Sequence, residues 1–380
     1  MSIKNLPLPL IIVMIMAPQI LETLYSPALT AIRFDYQINA TQASHTLSVY
    51  FFAFAFAFGV AFWGTISDKY GRRAAMLAGL LLYTAGALLA LLSNSFTLLI
   101  VSRAIIAFGA AVGSVVTQTM LRDVYQGQAL GKMFAIIGMA LSISPVLGMF
   151  SGGMLVFWGG RMAIFSAQAG LALLLLIWCW RALPETRQQT AGIALLPCLR
   201  EMLRDRQIWC SALLVASFNI MAFSYFSLAP FIFETLGLTS EQFGYSGIVL
   251  AFGSLCGAAA NRYLLQKGLC AYRQIQMASL LALLAAVGAW YWQTSLMILL
   301  PCMAVTVAFG LAIPNILSQA LKHYRNRLGA AGAVLGLLYY LLIAGGLALA
   351  AIGQHLPLTL LGCSLLSLAC SARLTGYAES

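Results

Sequence analysis

Charge is scarce in this chain. Of 380 residues, 8% are Asp, Glu, Lys or Arg, while 62% are hydrophobic. Soluble domains carry about 25% charged residues, and a folded surface of this size needs polar side chains to face water. A soluble protein is therefore excluded. A disordered chain is excluded as well, because disorder requires low hydrophobicity. Acid is scarcer still, with ten Asp and Glu against 21 Lys and Arg. The three histidines, His45, His323 and His355, stand at the ends of apolar segments. The eight cysteines form no CxxC pair and have no histidine at metal-ligand spacing. Most of them fall inside apolar runs, where Cys acts as a small hydrophobe, so neither a disulfide nor a metal centre is expected. No GxxxxGKS or GxxxxGKT phosphate loop occurs, and no HExxH or GxSxG motif. ATP drive, hydrolytic chemistry and a bound cofactor are not expected, and the chain does not read as an enzyme. The first apolar stretch runs on past Glu22 without a small-residue cleavage site, unlike a cleavable signal peptide.

What is present is a series of long apolar runs. Twelve can be marked, at about 6–30, 43–63, 74–93, 96–120, 130–152, 162–182, 208–232, 242–262, 272–292, 296–318, 328–350 and 354–374. Each approaches or exceeds the roughly 20 residues that cross a hydrocarbon core as a helix. The runs are continuous rather than alternating, which argues against a membrane β-barrel. The expected class is an all-α polytopic membrane protein with twelve transmembrane helices. Eighteen of the 21 basic residues fall on the side that carries both termini; Arg33 and Arg161 fall on the other, and Arg103 lies within a segment. The positive-inside rule then places the N- and C-termini in the cytoplasm. The basic residues serve topology and show no aromatic-flanked stripe, so no nucleic-acid partner is expected.

Residues 183–207 are polar, with two prolines and several charges. They divide the chain into an N-terminal six-helix bundle (1–182), a cytoplasmic linker (183–207) and a C-terminal six-helix bundle (208–380). Pro197–Arg206 has the pattern of an amphipathic surface helix. The halves echo one another: Gly64 and Asp68 recur as Gly257 and Asn261, and Ala107-Phe108-Gly109 with Thr117-Gln118 recurs as Ala308-Phe309-Gly310 with Ser318-Gln319. Repeated six-helix halves are a transporter plan.

Five stretches carry a family resemblance. The loop Gly64-Thr-Ile-Ser-Asp68-Lys69-Tyr-Gly71-Arg72-Arg73 resembles the signature loop of the major facilitator superfamily. Within the fourth segment, Arg103 with Gly109 matches a helix-4 arginine pattern of that superfamily's drug:proton antiporters, with Ile106 where Gln is usual and Ala107 for the first Gly. Pro145 and Gly148 match the antiporter motif of helix 5, with Ser144 and Met149 replacing two of its glycines. The stretch Thr23-Leu-Tyr25-Ser-Pro27-Ala-Leu is similar to helix 1 of the bicyclomycin/chloramphenicol-resistance and multidrug-resistance D type, as is the linker start Leu183-Pro-Glu-Thr-Arg187. The resemblance implies two pseudo-symmetric bundles, a bacterial inner-membrane location and a monomer. It also implies a cytoplasmic latch formed by Gly64, Asp68, Gly71, Arg72 and Arg73, with Arg122 and Asp123 as the partners of Asp68.

Glu22 is the one carboxylate placed well inside an apolar segment; Arg103 is the one such arginine. A charge there costs at least about 2.5 kcal/mol, so each is read as functional. The family's acidic position aligns with Thr23, so the carboxylate of Glu22 is displaced by one residue, about 100° around the helix. Burial favours a protonated carboxylic acid and a nearby guanidinium favours the carboxylate, and a group poised between them can load and release a proton. Glu22 and Arg103 are thus the expected proton-coupling pair. The expected substrate cavity takes Tyr25, Tyr50, Phe54, Gln118, Asn219, Phe223, Asn315, Gln319, Tyr339 and Tyr340. An aromatic cavity with one acid suits small lipophilic or cationic compounds. The expected function is their proton-coupled export; the alternative is a dedicated metabolite transporter of the same fold, exporting an amino acid or siderophore or importing a nucleoside.

Overall fold

The computed structural model describes residues 6–59, 62–187, 195–322, 324 and 328–376. His323 and linker residues 188–194, named above, lie outside the described residues, as do Lys4, Arg325 and Arg327 of the basic residues counted above and Glu379. Within them every regular element is a helix.

The first crossing consists of α1 (Leu8–Tyr25), a 3-10 turn (Ser26–Ala28) and α2 (Leu29–Asp35). α3 (Ala40–Gly59) and α4 (Phe62–Tyr70) meet at a 41° bend to make the second. α5 (Arg72–Leu91) and α6 (Phe96–Val124) follow, the latter capped by the Ser95 hydroxyl, which accepts from Leu98 N. α7 (Gly127–Ala182) is a run of 56 residues. Unbroken it would measure about 84 Å at 1.5 Å per residue, far more than a bilayer core of about 30 Å. It breaks at Gly159 and Gly160, the latter at φ +57°, and so supplies two crossings. α8 (Leu195–Met202) falls within residues 183–207, the expected linker. The remaining crossings are α9 (Arg206–Thr235), α10 (Ser240–Gln266), α11 (Ala271–Tyr291), α12 (Leu299–Ala320) after a 3-10 turn, α13 (Leu328–Gly353) and α14 (Leu356–Gly376). With α3–α4 counted once and α7 twice, the described residues make twelve crossings. Large apolar side chains stand outward along them, among them Leu284, Leu349 and Ile352 at 64–71% exposure, a surface suited to lipid rather than water.

One buried apolar cluster is built from residues 6–183 together with Phe231, and a second from residues 210–374 together with Met149. α3 packs against α13 and α7 against α10 where the two meet. At the end that carries Asp35, side-chain hydrogen bonds tie the clusters together. Arg33 donates to Glu234 at 2.6 Å, Ser26 to the Phe226 carbonyl, Ser44 to the Ser227 carbonyl at 3.1 Å, and Gln354 to Ser44 at 3.1 Å.

Candidate functional site

The central cluster begins on α1. Glu22 is 3% exposed and Arg103, on α6, is fully buried. The Arg103 guanidinium stacks on the Tyr25 ring at 3.9 Å and the Tyr50 ring at 4.7 Å. Such stacking stabilises a desolvated cation by about 2 kcal/mol. None of its three side-chain nitrogens has a hydrogen-bond partner among the described residues. Glu22 lies within electrostatic range of Arg103, Tyr50 and Tyr340. It is absent from the four ion pairs of the described residues, so the acid and the arginine act across space rather than in contact.

α1 is held in place by polar contacts on both sides of Glu22. Tyr50 donates its hydroxyl to the Pro18 carbonyl at 2.9 Å. Gln168, in the second limb of α7, donates its amide to the Leu21 carbonyl at 3.2 Å, and Tyr83 on α5 donates to the Gln168 carbonyl at 2.9 Å. Neither Gln168 nor Tyr83 was among the candidates; the visible signal was Gln168, the one carboxamide in the run 162–182. Gly148 explains the one-residue displacement of the acid. A Cβ there would overlap Thr23 Oγ1 and approach the Ile20 carbonyl to 2.8 Å. Thr23 therefore packs against α7, while Glu22 lies a step around the helix, within electrostatic range of Arg103, Tyr50 and Tyr340. Pro145 lies one turn earlier in α7, half-buried.

The aromatic candidates converge. Phe54 meets Tyr340 edge-on at 4.9 Å, Tyr340 touches Tyr339 at 4.5 Å, and Tyr50 stacks on Phe54 at 6.2 Å. Phe51 meets Phe223 at 4.8 Å. This seam joins α3 to α9 and α13. The polar candidates do not join it equally. Gln118 and Gln319 are half-buried on α6 and α12, and Asn219 donates to the Val215 carbonyl at 2.8 Å. Asn315, also expected in the cavity, is 3% exposed. Its amide donates to Asn261 at 2.8 Å, to Gln274 at 3.4 Å and to the Leu311 carbonyl at 2.7 Å, within a buried carboxamide cluster. Asn261 is the residue that repeats Asp68, so the cluster is the neutral counterpart of the charged loop in the first half.

That loop also differs from expectation. Asp68 pairs with Arg72, and Arg72 Nε donates to Asp123 at 2.8 Å. Arg72, 2% exposed, thus stands between two acids that would otherwise repel. Arg122 is exposed and lies over the Phe134 ring at 5.5 Å, not beside Asp68. Gly64 accepts from the Ser67 hydroxyl at 2.8 Å. Gly71 adopts φ +104°, and a Cβ on it would stand 2.5 Å from Glu185. Glu185 is the residue that sequence reasoning missed here. Its carboxylate accepts from the backbone N–H groups of Arg72, Arg73, Thr186 and Arg187 at 2.8–3.1 Å. Partial burial pushes its carboxyl upward, but those four donors outweigh it and hold it below the usual carboxylate value. Arg73 donates to the Trp180 carbonyl at 2.6 Å, and Arg187 to the Lys69 carbonyl at 3.0 Å. The loop is thereby fastened to the start of the linker.

Comparison with known proteins agrees with this geometry. The chain is 29% identical over 342 residues to an uncharacterized transporter of Rickettsia felis, covering 85% of this chain and 84% of that one. It is 26% identical to multidrug resistance protein D of Escherichia coli, covering 94% and 90%. The fold is similar to the crystal structure of a D-xylose–proton symporter, with a TM-score of 0.76 at 13% identity over 96% and 95% of the chains. The family model for the Major Facilitator Superfamily matches residues 11–372. With twelve crossings, an Asp68-to-Arg73 loop clasped to the linker and a buried acid facing an arginine between two packed clusters, the chain belongs to the Major Facilitator Superfamily of membrane transporters.

Proposed function

We propose that this transporter exports small lipophilic or cationic compounds from a bacterial cell across the inner membrane, in exchange for protons. In this reading residues 1–182 and 208–380 are two bundles that rock about the aromatic seam, linked by 183–207, with both termini in the cytoplasm. The observation that carries it is Glu22, a buried acid in electrostatic reach of Arg103 from its own half and of Tyr340 from the other. Protonation removes its attraction for Arg103 and for a cationic substrate alike, so proton and substrate compete for one site. That competition is what an exchanger requires. The seam of Tyr50, Phe54, Phe223, Tyr339 and Tyr340 offers π-faces to a lipophilic cation. The likeness to multidrug resistance protein D supports export of several compounds rather than one.

The test is uptake into inside-out proteoliposomes carrying an imposed pH gradient. The panel holds lipophilic cations, phenicols, amino acids and nucleosides. Accumulation of several unrelated lipophilic compounds against the proton flow is the expected result. Movement of a single amino acid or nucleoside, or movement along with protons, overturns the export reading and leaves the fold untouched.

A further inference from the structure

The linker helix α8 is fastened to the molecule by one face. Cys198 and Met202 are fully buried against Ala331 and Val334 of α13 and Ala212 of α9. Those residues belong to the first turns of two crossings, so α8 lies at the depth where hydrocarbon gives way to headgroups. The Trp209 indole N–H donates to the Leu203 carbonyl at 2.9 Å and holds the end of α8 against α9. Among the described residues the opposite face is open. Pro197, Arg200, Leu203 and Arg204 are exposed, and with Glu201 they line a concavity of about 890 Å³.

We propose that this face binds the headgroup of an anionic phospholipid, with Arg200 and Arg204 donating to its phosphate and Pro197 and Leu203 entering the interfacial layer. Guanidinium groups match phosphate with paired hydrogen bonds. The apolar neighbours select a lipid over free phosphate: Leu203 is 43% exposed at the bilayer edge, where an acyl chain covers it and water does not. The cluster that buries Cys198 and Met202 also takes in Leu335 and Leu338 of α13, and Tyr339 packs against it. A lipid that holds α8 therefore holds the start of the helix that supplies the seam.

Native mass spectrometry of the full chain in mild detergent, titrated with phosphatidylglycerol or phosphatidylethanolamine, tests this directly. The wild type is expected to retain phosphatidylglycerol in preference, even against excess inorganic phosphate. Removing each arginine, in Arg200→Gln and Arg204→Gln, is expected to weaken retention about fivefold, the equivalent of about 1 kcal/mol. Phosphatidylethanolamine retention stays unchanged. Equal phosphatidylglycerol retention by wild type and double variant overturns the proposal, as does displacement by phosphate. So does an equal loss in Arg262→Gln, an exposed arginine near the end of α10. The measurement needs neither substrate nor proton flux, so it can fail while the transport reading stands.

Discussion

Single side chains decide where charge is tolerated inside this protein. Arg103 is buried without a hydrogen bond among the described residues and is held by two tyrosine rings; Glu185 satisfies four backbone donors at once. Glu185 yields a pH prediction. Its carboxyl is held below the ordinary value in the folded protein, so its contribution is complete above the unfolded value of about 4.3. It is lost as pH falls through the lower folded value. Hydrogen exchange at Arg72, Arg73, Thr186 and Arg187, corrected for intrinsic rates, should show protection through neutral pH and release in that acid window. Glu185→Ala should lack the protection at every pH; a variant protected like wild type would contradict the assignment. Glu22 and Arg103 were legible in the sequence because a charge inside an apolar run has no cheap explanation. Glu185 and Gln168 were not, because each acts on backbone groups whose position depends on where the chain returns. The partners of Asn315 were hidden for a related reason: an amide in an apolar segment signals a polar contact but does not name the partner.

At the scale of elements, close helix approach sets the position of the acid. α1 lies on α7 because Gly148 has no side chain to hold it off. Gly148→Ala should destabilise the protein by about 1–3 kcal/mol, as overpacking does, seen as a lower melting temperature in detergent. Thr23→Ala in the same chain should restore part of the loss, because Oγ1 is the nearest obstruction while the Ile20 carbonyl remains. Additive losses in the double variant would place the contact elsewhere. The crossings themselves were legible from hydropathy, including the separation of 130–152 from 162–182, since the Gly-Gly pair at 159–160 interrupts an otherwise continuous helix. The second segment was less so: it continues as α4 beyond a 41° bend, to Tyr70. Its polar end is helical because Arg72 neutralises Asp68 and Asp123 together.

At the scale of the whole molecule, the two clusters are tied at the Asp35 end by Arg33–Glu234 and three further hydrogen bonds. An exposed ion pair contributes only about 0–1 kcal/mol, suited to a contact that must break in each cycle. Arg33→Glu should open this end, raising maleimide labelling of a reporter at the buried Ala43, Ala43→Cys, up to about fivefold; Arg33→Glu with Glu234→Arg should return it to the starting level. Unchanged labelling in the single variant would remove the pair from gating. The central claim is that Glu22 carries the proton. The most direct measurement is proton movement in proteoliposomes on adding a transported compound, wild type beside Glu22→Gln. Substrate-driven proton flux opposite to the compound, abolished in the variant although it still binds the compound, is the predicted result. Undiminished proton exchange in Glu22→Gln would contradict the account.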